Sequence, residues 1–124
     1  MVSQIPSALE IVRQRAVNRP RFRGVLHSWC FVLSIPAAVL LITTAPSTKA
    51  AFAAFAFSFG ISIMLGISAL FHRTDFTDRQ WLRFRRLDHI GIYFCIAGGY
   101  TPIGMLVVDG WLRYTLLIAA WGGL

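Results

Sequence analysis

Apolar residues in this chain are gathered into long blocks separated by short polar connections. Residues 25–45, 50–72 and 89–108 form three such blocks, and 112–124 forms a shorter fourth. A helix needs about 20 apolar residues to cross a hydrocarbon core, so the first three predict transmembrane helices and the fourth is too short to cross. Pro36 should kink the first span and Pro46 should end it. The second span carries small residues at four-residue intervals: Ala50, Ala54, Ser58, Ser62 and Gly66. A stripe of this kind lets helices approach closely in lipid.

The polar segments carry start signals of their own. Ser7 with Glu10 reads as a capping box opening a short helix before the first span, and Thr77 with Gln80 reads as a second. The second box predicts a helix running unbroken from Thr77 into the third span. Trp81 would then lie at headgroup level, with Arg83, Arg85 and Arg86 snorkelling to the surface. Asp88 falls inside that helix. It shares a face with Gly91, Cys95, Gly98 and Pro102, so it is expected to face packed protein rather than lipid.

Composition agrees: of 124 residues, 56% are hydrophobic and 14% charged, too apolar for an ordinary soluble domain. The net charge of +7 adds an orientation, because it is concentrated on one side. Arg13, Arg15, Arg19, Arg21 and Arg23 stand in the first 24 residues. Arg73, Arg79, Arg83, Arg85 and Arg86 stand in the 73–88 connection, against Asp75, Asp78 and Asp88. The other two connections hold Lys49, and Asp109 with Arg113. Basic segments stay inside, which places the N-terminus and the 73–88 connection in the cytoplasm. The fold expected is an all-α, multi-pass integral membrane protein of the cell (inner or plasma) membrane. It has three transmembrane helices plus a partial fourth, with a basic cytoplasmic segment at 1–24 and a transmembrane region at 25–124. The basic residues read as topology signals and headgroup anchors, so the expected partner is the lipid bilayer and not nucleic acid. The sequence names no protein partner. A cleavable signal peptide is not expected, because the first block lacks a small-residue cleavage site and follows a long basic stretch. Cys30 and Cys95 lie within spans and read as small packing residues.

Ionisable groups brought together at a membrane boundary are the natural place to look for chemistry. The second and third spans run antiparallel, so Ser68 and His72 at the end of one and Asp88 at the start of the next lie at one depth. Alone, each has a plain structural reading. His72 can touch headgroups, Ser68 can bond the carbonyl of Met64, and Asp88 can pair with Arg85 one turn away. His89 points about 100° from Asp88 and reads as an interfacial residue, as does His27 at the inner end of the first span. Together, an imidazole and a nearby carboxylate make half of a zinc site. Catalytic zinc normally takes three protein ligands, and this chain contains no His-x-x-x-His.

Four runs in order carry a resemblance: Pro20-Arg21-Phe22-Arg23-Gly24-Val25-Leu26-His27, Ser68-Ala69-Leu70-Phe71-His72, Leu87-Asp88-His89-Ile90-Gly91-Ile92-Tyr93, and Ala97-Gly98-Gly99-Tyr100-Thr101-Pro102. From about residue 19 onward the chain resembles the hemolysin III branch of the progestin and adipoQ receptor (PAQR) superfamily. The resemblance implies one half of a seven-helix bundle with its N-terminus inside. It further implies Zn2+ as cofactor, with His72 as the first metal ligand, Asp88 holding or activating the water, and Ser68 lining the same pocket. The remaining ligands would come from a His-x-x-x-His pair in the seventh helix, which this chain does not contain. Gly99 stands where the family commonly has Thr, a change that bears on helix packing.

The function expected on this basis is part of a zinc-dependent membrane hydrolase, cleaving a lipid amide in ceramidase-like fashion, with an incomplete site in this chain. Two alternatives stand beside it. One is a pore-forming or cytolytic membrane protein, for which a continuous polar stripe along a span would be expected. The other is an inactive truncated remnant, since the chain ends at Leu124 within an apolar run.

Overall fold

A computed structural model describes residues 24–123. The Ser7–Glu10 capping box and the arginines of the N-terminal segment lie outside them. The architecture is all-α: α1 (Val25–Thr43), α2 (Thr48–Arg73), α3 (Asp78–Pro102), a π-helical turn at Ile103–Val107, and α4 (Gly110–Gly122). The helix through α1, that through α2 and the stretch Arg79–Val107 are long and apolar enough to cross a membrane. At 13 residues α4 is too short to do so.

Local chemistry sets the boundaries. α1 runs on through Pro36 and stops at Thr43, two residues short of the apolar block. There the hydroxyls of Thr43 and Thr44 bond the carbonyls of Val39 and Leu40, and Pro46 lies just beyond. α2 begins two residues before its block because Ser47 caps it, its Oγ accepting from the Ala50 N–H at 3.2 Å. α3 starts directly after Thr77 and continues into the span without a break, as the capping box predicts. Gln80 Oε1 accepts from the Thr77 backbone N–H at 3.1 Å and from the Thr77 hydroxyl at 3.0 Å. Replacing Gln80 by alanine should cost this helix end about 1 kcal/mol. Amide exchange at Thr77 should quicken about fivefold in consequence, and an unchanged rate would remove the box from the account.

The bundle is organised around α2, which presents two opposite faces to its neighbours. The small-residue stripe meets α1: Ser62 shares a 2.9 Å hydrogen bond with Ser34, and Gly66 lies against the ring of Phe31. A second small face, Ala53, Ala56 and Gly60, meets α3 and is buried there. At the closest approach a Cβ on Gly60 would stand 2.3 Å from the Phe94 carbonyl oxygen. A Cβ on Gly98 would stand 2.6 Å from that of Ala56, and one on Gly91 would stand 3.2 Å from the Met64 Cα. Gly99, by contrast, has open space where a Cβ would go, so a threonine there would meet no obstacle. The best-buried side chains are correspondingly small, with Ala53 and Ala97 fully covered. The large ones, such as Leu26, Trp29 and Ile118, lie on the outside. That inversion suits lipid, where packing between helices rests on close backbone approach and the bulky side chains meet acyl chains.

Beyond Pro102 the helix widens into the π turn, which the apolar pattern does not signal. Such turns leave carbonyls without regular helical partners. Arg113 of α4 covers one carbonyl within the turn and one just after it, its Nε donating to the carbonyls of Gly104 at 3.2 Å and Val108 at 2.9 Å, while its Nη2 pairs with Asp109. Trp121 Nε1 donates to the Thr101 hydroxyl at 3.0 Å and fixes the far end of α4.

Candidate functional site

The antiparallel register of α2 and α3 places the sequence candidates. Gly91 lies over Met64 and Ile67, so one turn back Asp88 comes to the level of Ser68, with His72 one turn further along α2. Ser68 is 7% exposed, and Asp88 and His72 are half-buried. Viewed down α2, Ser68 and His72 lie roughly a quarter to a third of a turn round from Gly60, between the face that meets α3 and the face that meets α1.

The plain readings of these residues fare differently. Ser28, Ser34 and Thr101 each bond a carbonyl one turn back. Among the described residues, Ser68 makes no such bond to Met64. Nor does Asp88 pair with Arg85 among the described residues: the Arg85 guanidinium sits over the Trp81 ring at 5.4 Å. His89 is exposed, and its Nδ1 lies 2.7 Å from the Arg85 carbonyl oxygen, as suits an interfacial residue.

The structure adds His27, which sequence reasoning set aside as interfacial. Its ring centroid lies 6.3 Å from that of His72. The backbone enters α1 through Gly24 at φ 83°, directly over His72, where a Cβ would stand 2.7 Å from the His72 Cβ. One residue beyond His27, Ser28 Oγ accepts from Arg73 Nη1 at 3.3 Å. On its other flank His72 meets Phe71, their ring centroids 5.1 Å apart. Phe71 in turn belongs to an aromatic cluster with Phe76, Trp81 and Phe84 that folds the 74–77 connection onto both helices. The signal that could have found His27 was available, since α1 and α2 are also antiparallel and the start of one must meet the end of the other.

The residues at this end of the bundle offer imidazole and carboxylate donors, which suit zinc in kind. They fall short in number: among the described residues no three His, Cys, Asp or Glu side chains converge as a metal-holding group. What the arrangement supplies is a sheltered hydroxyl, a carboxylate and two imidazoles toward one end of the helical bundle.

Residues 15–124 match the family described as Haemolysin-III related. The chain belongs to this family. Two haemolysin-III relatives are similar over much of its length. Hemolysin-3 of Bacillus cereus is 33% identical over 124 residues, covering 98% of this chain and 54% of the relative. The hemolysin-3 homolog of Bacillus subtilis (strain 168) is 35% identical over 101 residues, covering 79% and 47%. The chain therefore spans about half the length of the relatives it matches. No solved structure matches it significantly. Family membership and three membrane-length apolar helices together make this haemolysin-III chain a multi-pass membrane protein, with the bilayer as its environment.

Proposed function

We propose that the full-length protein is a zinc-dependent hydrolase of the cell membrane, cleaving a lipid amide, with its N-terminus in the cytoplasm. The observation that carries this reading is the placement of Ser68, Asp88 and His72 within two turns of each other on adjacent antiparallel helices. The concentration of arginines at the same end supports the orientation. His72 would be one protein ligand of the metal. When bound, zinc would supply a water of lowered pKa and would polarise the amide carbonyl. Asp88, half-buried on the adjacent helix at about the level of Ser68, would accept the proton that the attacking water gives up and pass it to the departing amine. Ser68 would orient the substrate through its hydroxyl, and the surrounding apolar faces would hold the acyl chain while excluding bulk water.

The names of the two relatives favour a second reading, in which the protein lyses cells. An ion pathway would place polar groups along a span, whereas here they collect at one end. One set of measurements separates the two. In the purified full-length protein, His72→Ala should lower bound zinc, and Asp88→Ala should lower zinc or the hydrolysis of a short-chain ceramide by about a hundredfold. Zinc binding unchanged in both variants would sink the hydrolase. Dye release from liposomes that persists undiminished in His72→Ala would favour the lytic protein.

A further inference from the structure

Arg79, Arg83 and Arg86 follow one another along α3 at intervals of four and three residues, which puts them on one face of the helix. All three are exposed, and among the described residues no hydrogen bond or ion pair engages their guanidinium groups. Arg85 points elsewhere, its guanidinium lying over the Trp81 ring at 5.4 Å. Ile90 and Tyr93 continue the arginine face into the span, within about 80° of arc, and both are exposed as well. This face is turned away from α2, which meets α3 at Gly91, and it lies roughly opposite Asp88. Depth divides the five residues into two groups. A hydrocarbon core about 30 Å thick takes about 20 residues of helix, which, counted back from the end of the span at Val107, reach Asp88. Arg86 and Arg83 then stand about 3 and 8 Å beyond the core, in the headgroup layer, with Arg79 about 6 Å further out. Ile90 and Tyr93 stand just inside it, among acyl chains.

We propose that this face of α3 seats one anionic phospholipid of the surrounding membrane, its phosphate held by Arg83 and Arg86 and its acyl chains laid along Ile90 and Tyr93. The face and such a lipid are complementary in charge and in depth. Like charges at these spacings repel one another on a helix. A phosphate between them removes that cost, and planar guanidiniums bind it through paired N–H donors. Arg79 adds a third cation beside the first two, so a lipid with two phosphates joined through a glycerol suits the face better than one with a single phosphate. A zwitterionic headgroup suits it worst, because its ammonium meets the same arginines. The occupant is a whole lipid and not free phosphate, since the apolar half of the face lies at the depth of the chains. Basic clusters beside the inner ends of transmembrane helices are the general setting for such recognition. The seat lies across the helix from Asp88, so it stands whether or not the protein is a hydrolase. Its occupant would fix the depth of α3, and with it the depth of Asp88.

The test uses the full-length protein purified in detergent, with lipid retention followed by native mass spectrometry. Tetraoleoyl cardiolipin should bind more tightly than dioleoyl phosphatidylglycerol, and both more tightly than dioleoyl phosphatidylcholine, the extremes differing at least tenfold. The double variant Arg83→Gln with Arg86→Gln should weaken cardiolipin binding about twentyfold, near fivefold for each arginine. Arg85→Gln removes a charge from the same turn of the helix but from another face, and should change binding less than twofold. Arg83→Lys with Arg86→Lys restores the charge and should recover most of the affinity. Excess inorganic phosphate should not displace the lipid. Equal retention of the three lipids would overturn the proposal. So would a loss in Arg85→Gln as large as that in Arg86→Gln alone, because the attraction would then belong to the whole basic end. A lysine pair as weak as the glutamine pair would trace the loss to the fold and overturn the seat, and displacement by inorganic phosphate would reduce it to a site for the free anion.

Discussion

Leucine in place of Gly60 is expected to separate α2 from α3 and to destabilise the bundle by about 3 kcal/mol or more. The atom in the way is the Phe94 carbonyl oxygen, 2.3 Å from where the new Cβ must stand. A side-chain obstacle could rotate aside, but this one is part of the α3 backbone, and Gly98 closes the same seam from the other side. Relief therefore requires the helices to move apart along Ala53, Ala56 and Ala97, which forfeits the close contacts that hold helices together in lipid. Gly99→Leu is the control, since a Cβ there meets nothing within 4 Å and should leave stability within about 0.5 kcal/mol. Unfolding midpoints in a mixed-micelle titration measure both. Equal midpoints for the two variants would mean that the α2–α3 seam does not organise the fold. The same substitution should shift Asp88 relative to Ser68, because the register that aligns them is set at this seam.

Valine at Gly24 should have the second-largest effect, and it should act on α1. Two costs combine there. The backbone lies at φ 83°, where a residue with a Cβ is disfavoured by roughly 1–2 kcal/mol. The added Cβ also stands 2.7 Å from the His72 Cβ, adding an overpacking cost of similar size. Together they should weaken the docking of α1 on α2 by about 3 kcal/mol, and Cys30, in the second turn of α1 and now half-buried, should react faster with a thiol reagent. Gly110 separates the two costs, being at φ 66° with open space around it. Gly110→Val should incur the backbone cost alone. Should Gly24→Val leave the Cys30 rate unchanged, the crossing of the chain over His72 is not what positions α1.

The comparison of these glycines shows how far a sequence can be read. All ten carry the same symbol in a hydropathy profile. Gly60 and Gly98 are required by the neighbouring backbone, Gly24 by its own torsion angle, and Gly99 by nothing in the structure. A small residue in an apolar helix announces the capacity for close approach, while its partner depends on the azimuth at which another helix arrives. For that reason the stripe from Ala50 to Gly66 was visible, but not that it meets α1, nor that Ala53, Ala56 and Gly60 form a second seam on the opposite face. The candidate site follows the same division. Ser68 and Asp88 were expected at one depth because antiparallel neighbours align their ends, and the Gly91–Met64 contact supplies the register that places them so. His27 was passed over, although the same argument applied to the first two spans brings it to His72.

What the sequence determined by itself were the properties that act locally along the chain. These are three membrane-length apolar helices and a shorter fourth, the start of α3 at its capping box, and membership of the haemolysin-III family. Each depends on residues within a few positions of one another or on a string of motifs in fixed order. The tertiary structure alone decided which helix faces meet and where the π turn after Pro102 finds cover in Arg113. The physical reason is that these contacts are set by backbone approach between helices. In lipid that approach is governed by the absence of side-chain atoms at a few glycines and alanines, which hydropathy does not record.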